Sequence, residues 1–271
     1  MRRSATNNRN HSGRHHSRSA EKITGELPET VRTGTEEQAA APKRLTMHPH
    51  TALHNFSVSK AHKTQLLLSR EIIAEDHLPK NIRSVAGVDV AYADESAIGA
   101  VAVLDYESLE LLELQTATCQ AKFPYVPTLL AFREIPPAVA CIKKLRLQPD
   151  VFLVDGQGAA HPYGCGFACH LGLAIGKPTV GVAKSWLIGE PKTVAGQEFL
   201  FQNGRVLGAV VATKEGVKPV YVSVGHLVSL GTAVEITKHC VRNSRIPEPI
   251  LQAHKIAGEA KREVQKKRKA L

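Results

Sequence analysis

The chain has 271 residues, 43% of them hydrophobic, and carries 35 Lys and Arg against 25 Asp and Glu, a formal charge of +10 at pH 7. That length holds one large or two small domains with a sizeable core, and an odd count of five scattered cysteines does not suggest a disulfide framework. No window reaches 18 consecutive apolar residues and the N-terminus lacks the apolar run of a secretory signal, so a soluble, cytoplasmic protein with no membrane partner is expected.

The sign of the charge suggests a polyanionic partner, and its distribution refines that. Residues 1 to 50 hold nine basic and five acidic side chains and residues 255 to 271 hold seven and two, which leaves 19 and 18 in the body. Any nucleic-acid surface on that nearly neutral body is local. The first 50 residues, rich in Ser, Thr, Asn, His, Arg and Glu, cannot bury enough surface to offset ordering, so residues 1–55 are expected to be a disordered extension. A folded domain is expected over 56–258 and a basic C-terminal tail over 259–271.

Ala61 to Ala74 spaces Leu66, Leu67, Ile72 and Ile73 for a helix. Ser84 to Tyr92, Ile98 to Asp105 and Leu111 to Thr118 then read as strands joined by short polar turns, an antiparallel meander. Leu129 to Leu147 reads helical, with Pro136-Pro137 marking a break or kink. Val151 to Val154, helical Gly166 to Ile175 and Thr179 to Ala183 make a β-α-β crossover. Arg205 to Thr213 and Val220 to Val224 read as strands, and Ser229 to Val241 as an amphipathic helix. The fold expected is α/β, one mixed sheet with helices on both faces.

Two acids interrupt apolar strands: Asp89 in Val85-Ala86-Gly87-Val88-Asp89-Val90, and Asp155 directly after Val151-Phe152-Leu153-Val154. A carboxylate buried there must be paired, hydrogen-bonded or bound to a cation. If the two strands are neighbours, both acids converge on a hard-oxygen site suited to Mg²⁺ or Mn²⁺; if not, each is a solvated strand end. Glu134 on the following helix is a third candidate. His161, Cys165, Cys169 and His170 offer a competing zinc set, but their spacing is not a usual knuckle pattern.

Read together, the motifs resemble the endonuclease V family, deoxyinosine-directed nucleases with a ribonuclease H-like fold. The matching pieces are Val85 to Asp89, Phe123-Pro124-Tyr125-Val126-Pro127, Leu130 to Glu134, Asp155-Gly156-Gln157-Gly158, Ala160-His161-Pro162, Pro178 to Ser185, Ser223-Val224-Gly225-His226 and Arg245-Ile246-Pro247-Glu248-Pro249. They occur in family order over about residues 60 to 255.

The resemblance implies roles. Asp89 and Asp155 match the metal-binding aspartates, Glu134 the third acid, His226 the active-site histidine and Lys184 the lysine beside the site. Tyr125, stiffened by Pro124 and Pro127, matches the wedge that contacts distorted DNA. Gly156, Gln157, Gly158 and His161 fall in the loop that helps receive the altered base. Three departures stand out: Thr128 where the family has glycine after the wedge, Ile135-Pro136-Pro137 after the glutamate, and Gly231 in place of an acidic or polar residue.

The resemblance therefore implies a Mg²⁺-dependent DNA-repair endonuclease, with Mn²⁺ as a substitute, acting as a monomer. It would recognise deoxyinosine and hydrolyse the second phosphodiester bond 3′ to the lesion. An inosine-specific endoribonuclease acting on single-stranded RNA, and a non-catalytic nucleic-acid binder, remain alternatives. The basic tails are expected to strengthen non-specific binding, while lesion choice belongs to the wedge and the loop around Asp155.

Overall fold

A computed structural model describes residues 57–269; the expected extension over 1–55 lies outside the described residues. Helix α1 (Val58–Leu68) opens the chain, with Ser57 Oγ accepting from Lys60 N at its start, and a short 3₁₀ turn (Ser69–Glu71) follows it. The meander is β1 (Ser84–Ala93), β2 (Ser96–Asp105) and β3 (Leu111–Gln120). Helix α2 (Ala131–Ile142), β4 (Val151–Asp155), α3 (Phe167–Ile175) and β5 (Thr179–Ala183) follow. After them come β6 (Glu190–Val194), β7 (Gln197–Gln202), β8 (Arg205–Val211), β9 (Val220–His226), α4 (Leu230–His239) and α5 (Glu248–Lys269).

The nine strands form one sheet in the order β3-β2-β1-β4-β5-β9-β8-β7-β6. β1 and β5 flank β4 in parallel; every other pairing is antiparallel. This is the ribonuclease H-like mixed sheet, with an antiparallel extension from β9 to β6. Helices cover both faces, which is why the central strands are near-continuous apolar runs rather than alternating ones. On one face Ala86, Val88, Val101, Phe152 and Val154 pack with Ile135 and Ala138 of α2 and Phe167 and Leu171 of α3. On the other, Val85, Leu104, Leu153, Val180 and Val222 pack with Ile236 of α4 and Ile250 and Ala253 of α5.

Two glycines set the closeness of that packing. A Cβ on Gly87 would lie 1.9 Å from Pro249 O, and one on Gly99 2.3 Å from Pro137 O, so α5 and α2 rest directly on the backbones of β1 and β2. Pro136 and Pro137 fall inside a continuous α2 rather than breaking it, and the helix ends at Ile142, short of the expected Leu147.

Two further elements differ from the reading of the sequence. The β6–β7 hairpin was not foreseen, because all five residues of β6 are exposed and carry no apolar alternation. Its turn is nonetheless legible in Ala195-Gly196, and the next in Asn203-Gly204; all four residues have positive φ, as type I′ turns require. Residues 259–269, expected as a tail, continue α5 without interruption. Among the described residues no helix is long and apolar enough to cross a membrane.

Gly87→Ala is expected to lower stability by about 1–3 kcal/mol, the range for overpacking, because the methyl meets helix backbone that cannot yield. Gly231→Ala, where a Cβ meets nothing within 4 Å, should be neutral or stabilising by up to about 1 kcal/mol. Denaturant unfolding of the two variants checks the contrast.

Candidate active site

The parallel pairing of β1 and β4 matches Val88 to Val154, so the next residues, Asp89 and Asp155, lie side by side where β4 ends. Asp89 is buried and Asp155 is half-buried. Each finds a partner: Lys184 Nζ donates to Asp155 Oδ2 at 2.5 Å, and His254 Nδ1 donates to Asp89 Oδ2 at 2.7 Å. Burial, and secondarily the neighbouring Asp89, raise the Asp155 carboxyl above its ordinary range, while Lys184 works against them.

Glu134, from the first turn of α2, is the third acid. Burial first, then Asp89 and Asp155, push its carboxyl up to about 8. Three carboxylates with so little countercharge form a site short of positive charge. Asp89, Asp155 and His254 each offer a ligand atom, all within 4.8 Å of one another. Two carboxylates and an imidazole, with a third carboxylate close by, suit a divalent cation. The His161, Cys165, Cys169 and His170 set does not form a metal cluster among the described residues: Cys169 is buried in the core with its thiol donating to Val224 O.

His226 requires correction. It ends β9, which is antiparallel to β5 and pairs His226 with Thr179, whereas Asp155 pairs with Val182, three residues further along β5. His226 therefore sits toward the opposite end of β5 from the acids. Its Nδ1 accepts from Ile73 N, and burial, then His77, hold its imidazole below the ordinary value. The histidine beside the carboxylates is His254 on α5, which the sequence reading missed. Its signal was present: the Arg245-Ile246-Pro247-Glu248-Pro249 motif runs into Ile250, Ala253 and Ala257, a helical spacing of buried residues. Contact of Pro249 with Gly87 then brings His254 to Asp89, two residues along the same face of β1.

The expected recognition segments are joined to elements that carry this cluster. Tyr125 is 70% exposed, so it is not packed over the core, and Pro124 and Pro127 beside it are exposed too. Phe123 anchors the base of that loop by stacking on Phe132 of α2, with centroids 5.2 Å apart. Thr128 adopts φ 72°, where glycine is easier, and is held from α1: Gln65 Nε2 donates to Thr128 O, and His62 Nε2 lies 3.0 Å from Thr128 Oγ1.

Gly156, Gln157 and Gly158 follow Asp155 and pack against glycine-bare surfaces, since a Cβ on Gly181 would lie 2.4 Å from Gly158 N. Gln157 Nε2 donates to Ser185 O, next to Lys184, and its Oε1 is buried with no hydrogen-bond partner among the described residues. His161 is buried; desolvation holds its imidazole down at about 4, against a backbone hydrogen bond with Thr128, so at neutral pH it is an uncharged positioning group.

Metal-free stability tests the Glu134 environment. Below about pH 4.5 this group is protonated folded or unfolded. As pH rises toward about 8 the unfolded chain ionises while the folded form keeps its proton, so stability falls across that window and levels off above it. Glu134→Gln in EDTA is expected to be more stable than wild type by roughly 2–4 kcal/mol at pH 8.5, the difference closing by pH 4.5 in thermal denaturation.

The model of the Endonuclease V family matches residues 67–255. The chain is 46% identical over 210 residues to endonuclease V of Thermofilum pendens, spanning 77% of this chain and 90% of that protein. Among solved structures, endonuclease V of Streptomyces avermitilis is similar with a TM-score of 0.71 and 37% identity over 77% of this chain and 95% of that one. Endonuclease V of Ciona intestinalis, solved with a 24mer DNA containing an inosine followed by a ribo-adenosine, gives 0.69 and 31% over 76% and 98%. With its acids, lysine and histidine gathered at one sheet end in a chain so matched, this protein belongs to the endonuclease V family and is a phosphodiester-hydrolysing enzyme.

Proposed function

We propose that this enzyme uses Mg²⁺, or Mn²⁺ in its place, to cleave DNA containing deoxyinosine at the second phosphodiester bond 3′ to the lesion. The observation that carries the reading is the convergence of Asp89, Asp155, Glu134, Lys184 and His254 at the end of β4. Asp89 and Asp155 would hold the cation, with Glu134 completing its surroundings. When bound, the cation supplies Lewis-acid stabilisation of the phosphate and a lowered pKa for water.

The remaining work falls to the chain's own side chains. The Lys184 ammonium, held on Asp155, adds positive charge facing the scissile phosphate. His254 donates Nδ1–H to Asp89, which leaves Nε2 to accept or release a proton. In this assignment His254, and not His226, is the proton-handling histidine. Tyr125 inserts beside the unstacked base, and the loop from Gly156 to Gly158 receives it, with His161 fixing that loop to the wedge.

Base choice follows from the Gln157 amide. Its Nε2 is committed to Ser185, so the free Oε1 is an acceptor without a donor. Hypoxanthine presents an N1–H donor where adenine presents an acceptor, so this acceptor, buried in the free protein, would favour the deaminated base once the loop shifts to expose it. The C. intestinalis complex, with a ribose next to its inosine, favours a second reading in which inosine in single-stranded RNA is also a substrate. The proposal includes a cytoplasmic monomer whose catalytic domain spans 56–258, with residues 1–55 as an extension outside it.

Full-length protein with Mg²⁺ should nick a labelled duplex containing one deoxyinosine and leave the adenine control intact. Asp89→Ala should reduce cleavage by at least about 10³-fold and His254→Ala by about 10²-fold or more, against less than about 5-fold for His226→Ala. Gln157→Leu should reduce the inosine-to-adenine preference by about tenfold, the worth of one buried hydrogen bond. Undiminished nicking by Asp89→Ala would overturn the proposal, and parallel rates on matched inosine RNA decide between the two substrates.

A further inference from the structure

Helix α5 does not end at the site. It runs 22 residues, from Glu248 to Lys269, and carries on well past His254. At about 100° per residue, His254, Gly258, Arg262 and Lys266 advance by only about 40° each and form one shallow ridge. Ile250, Ala253 and Ala257 face the sheet, and Glu259 and Glu263 lie about 60° round the helix from Arg262 and Lys266. The side chains of His254, Arg262 and Lys266 are exposed. Arg268, by contrast, is spoken for: its Nη1 donates to Asp94 at 2.9 Å and pins the far end of the helix to the β1–β2 turn.

Gly258 is the second observation. Glycine inside a helix weakens it relative to alanine, so it needs a reason. Packing is not that reason, since a Cβ there would meet only Arg262 Nη1, at an ordinary 3.7 Å. The contact shows instead that the Arg262 guanidinium folds back over the bare turn toward His254, as helical side chains do. A flat gap floored by glycine and topped by a guanidinium, one turn from a candidate catalytic histidine, has the shape and charge for a phosphate.

We propose that Gly258, Arg262 and Lys266 form a track for the phosphate backbone of the nucleic-acid strand passing out of the site, with Gly258 admitting the backbone and the two cations each neutralising one phosphate. The proposal rests on the nuclease reading and adds a binding surface to it. The basic C-terminal residues thereby act as an ordered, one-sided surface continuous with the site.

Fluorescence anisotropy of a labelled 30-base-pair duplex with one deoxyinosine, titrated with full-length protein in EDTA over a range of NaCl, tests it without requiring cleavage. In Arg262→Ala/Lys266→Ala the slope of log K against log salt should shrink by about 1.8, at about 0.9 per lost contact, with the inosine-to-adenine affinity ratio unchanged. Lys267→Ala, on another side of the helix, should change the slope by less than about 0.3. Gly258→Leu should raise Tm yet weaken binding at least about threefold; a glycine with no ligand role would raise Tm and leave binding alone. A slope for the double variant equal to that of wild type or of Lys267→Ala overturns the track. Loss of the nuclease reading would show separately, as wild-type protein that binds the duplex but never nicks it with Mg²⁺ or Mn²⁺ restored.

Discussion

Burial of three acids, Asp89, Asp155 and Glu134, at one place is the constraint that organises this molecule. Parallel pairing of β1 with β4 sets the two aspartates side by side, and α2, resting on Gly99, brings Glu134 to them. Such a group survives burial only if it is paired or hydrogen-bonded, and the fold supplies partners from separate elements: the Lys184 ammonium after β5 and a hydrogen bond from His254 on α5. Glu134, left with the least compensation, retains its proton to about pH 8. A divalent cation is the natural complement to that deficit of positive charge.

The segments proposed for recognition are tied to the cluster through short links. Phe123 stacks on Phe132, two residues before Glu134, so the Tyr125 loop and the third acid share one helix. Gln157 ties the loop after Asp155 to the backbone beside Lys184. Helix α1 braces both segments at once, since buried Gln65 donates to Thr128 O after the wedge and to Cys165 O beyond His161. This bracing explains how threonine is tolerated at a positive φ, where glycine is easier: the hydroxyl meets His62 and the carbonyl meets Gln65, which offset the steric cost.

Much of this was legible in the residues. Charged side chains inside apolar strands marked Asp89 and Asp155, and short turns with β-branched runs marked the meander and the crossover. His226 failed for a physical reason. A strand's direction within a sheet is not written in its local pattern, and the antiparallel pairing of β9 carries its C-terminal end away from the acids. His254 was hidden because α5 is polar overall and its buried positions are mostly small, so its apolar stripe is faint although its partner glycine, Gly87, stood in plain view. The surplus charge first suggested a loose basic tail; over residues 259–269 it belongs to an ordered helix that begins at the site.

The central claim is that the buried carboxylates await a cation. Calorimetric titration of Mn²⁺ into metal-free protein at pH 7, repeated in buffers of different ionisation enthalpy, measures the protons released on binding. The account predicts binding at one site or a close pair, with release approaching about one proton, as the cation displaces the proton held by Glu134, and loss of that release in Glu134→Gln. Absence of binding, or binding with no proton release in wild type, would contradict it.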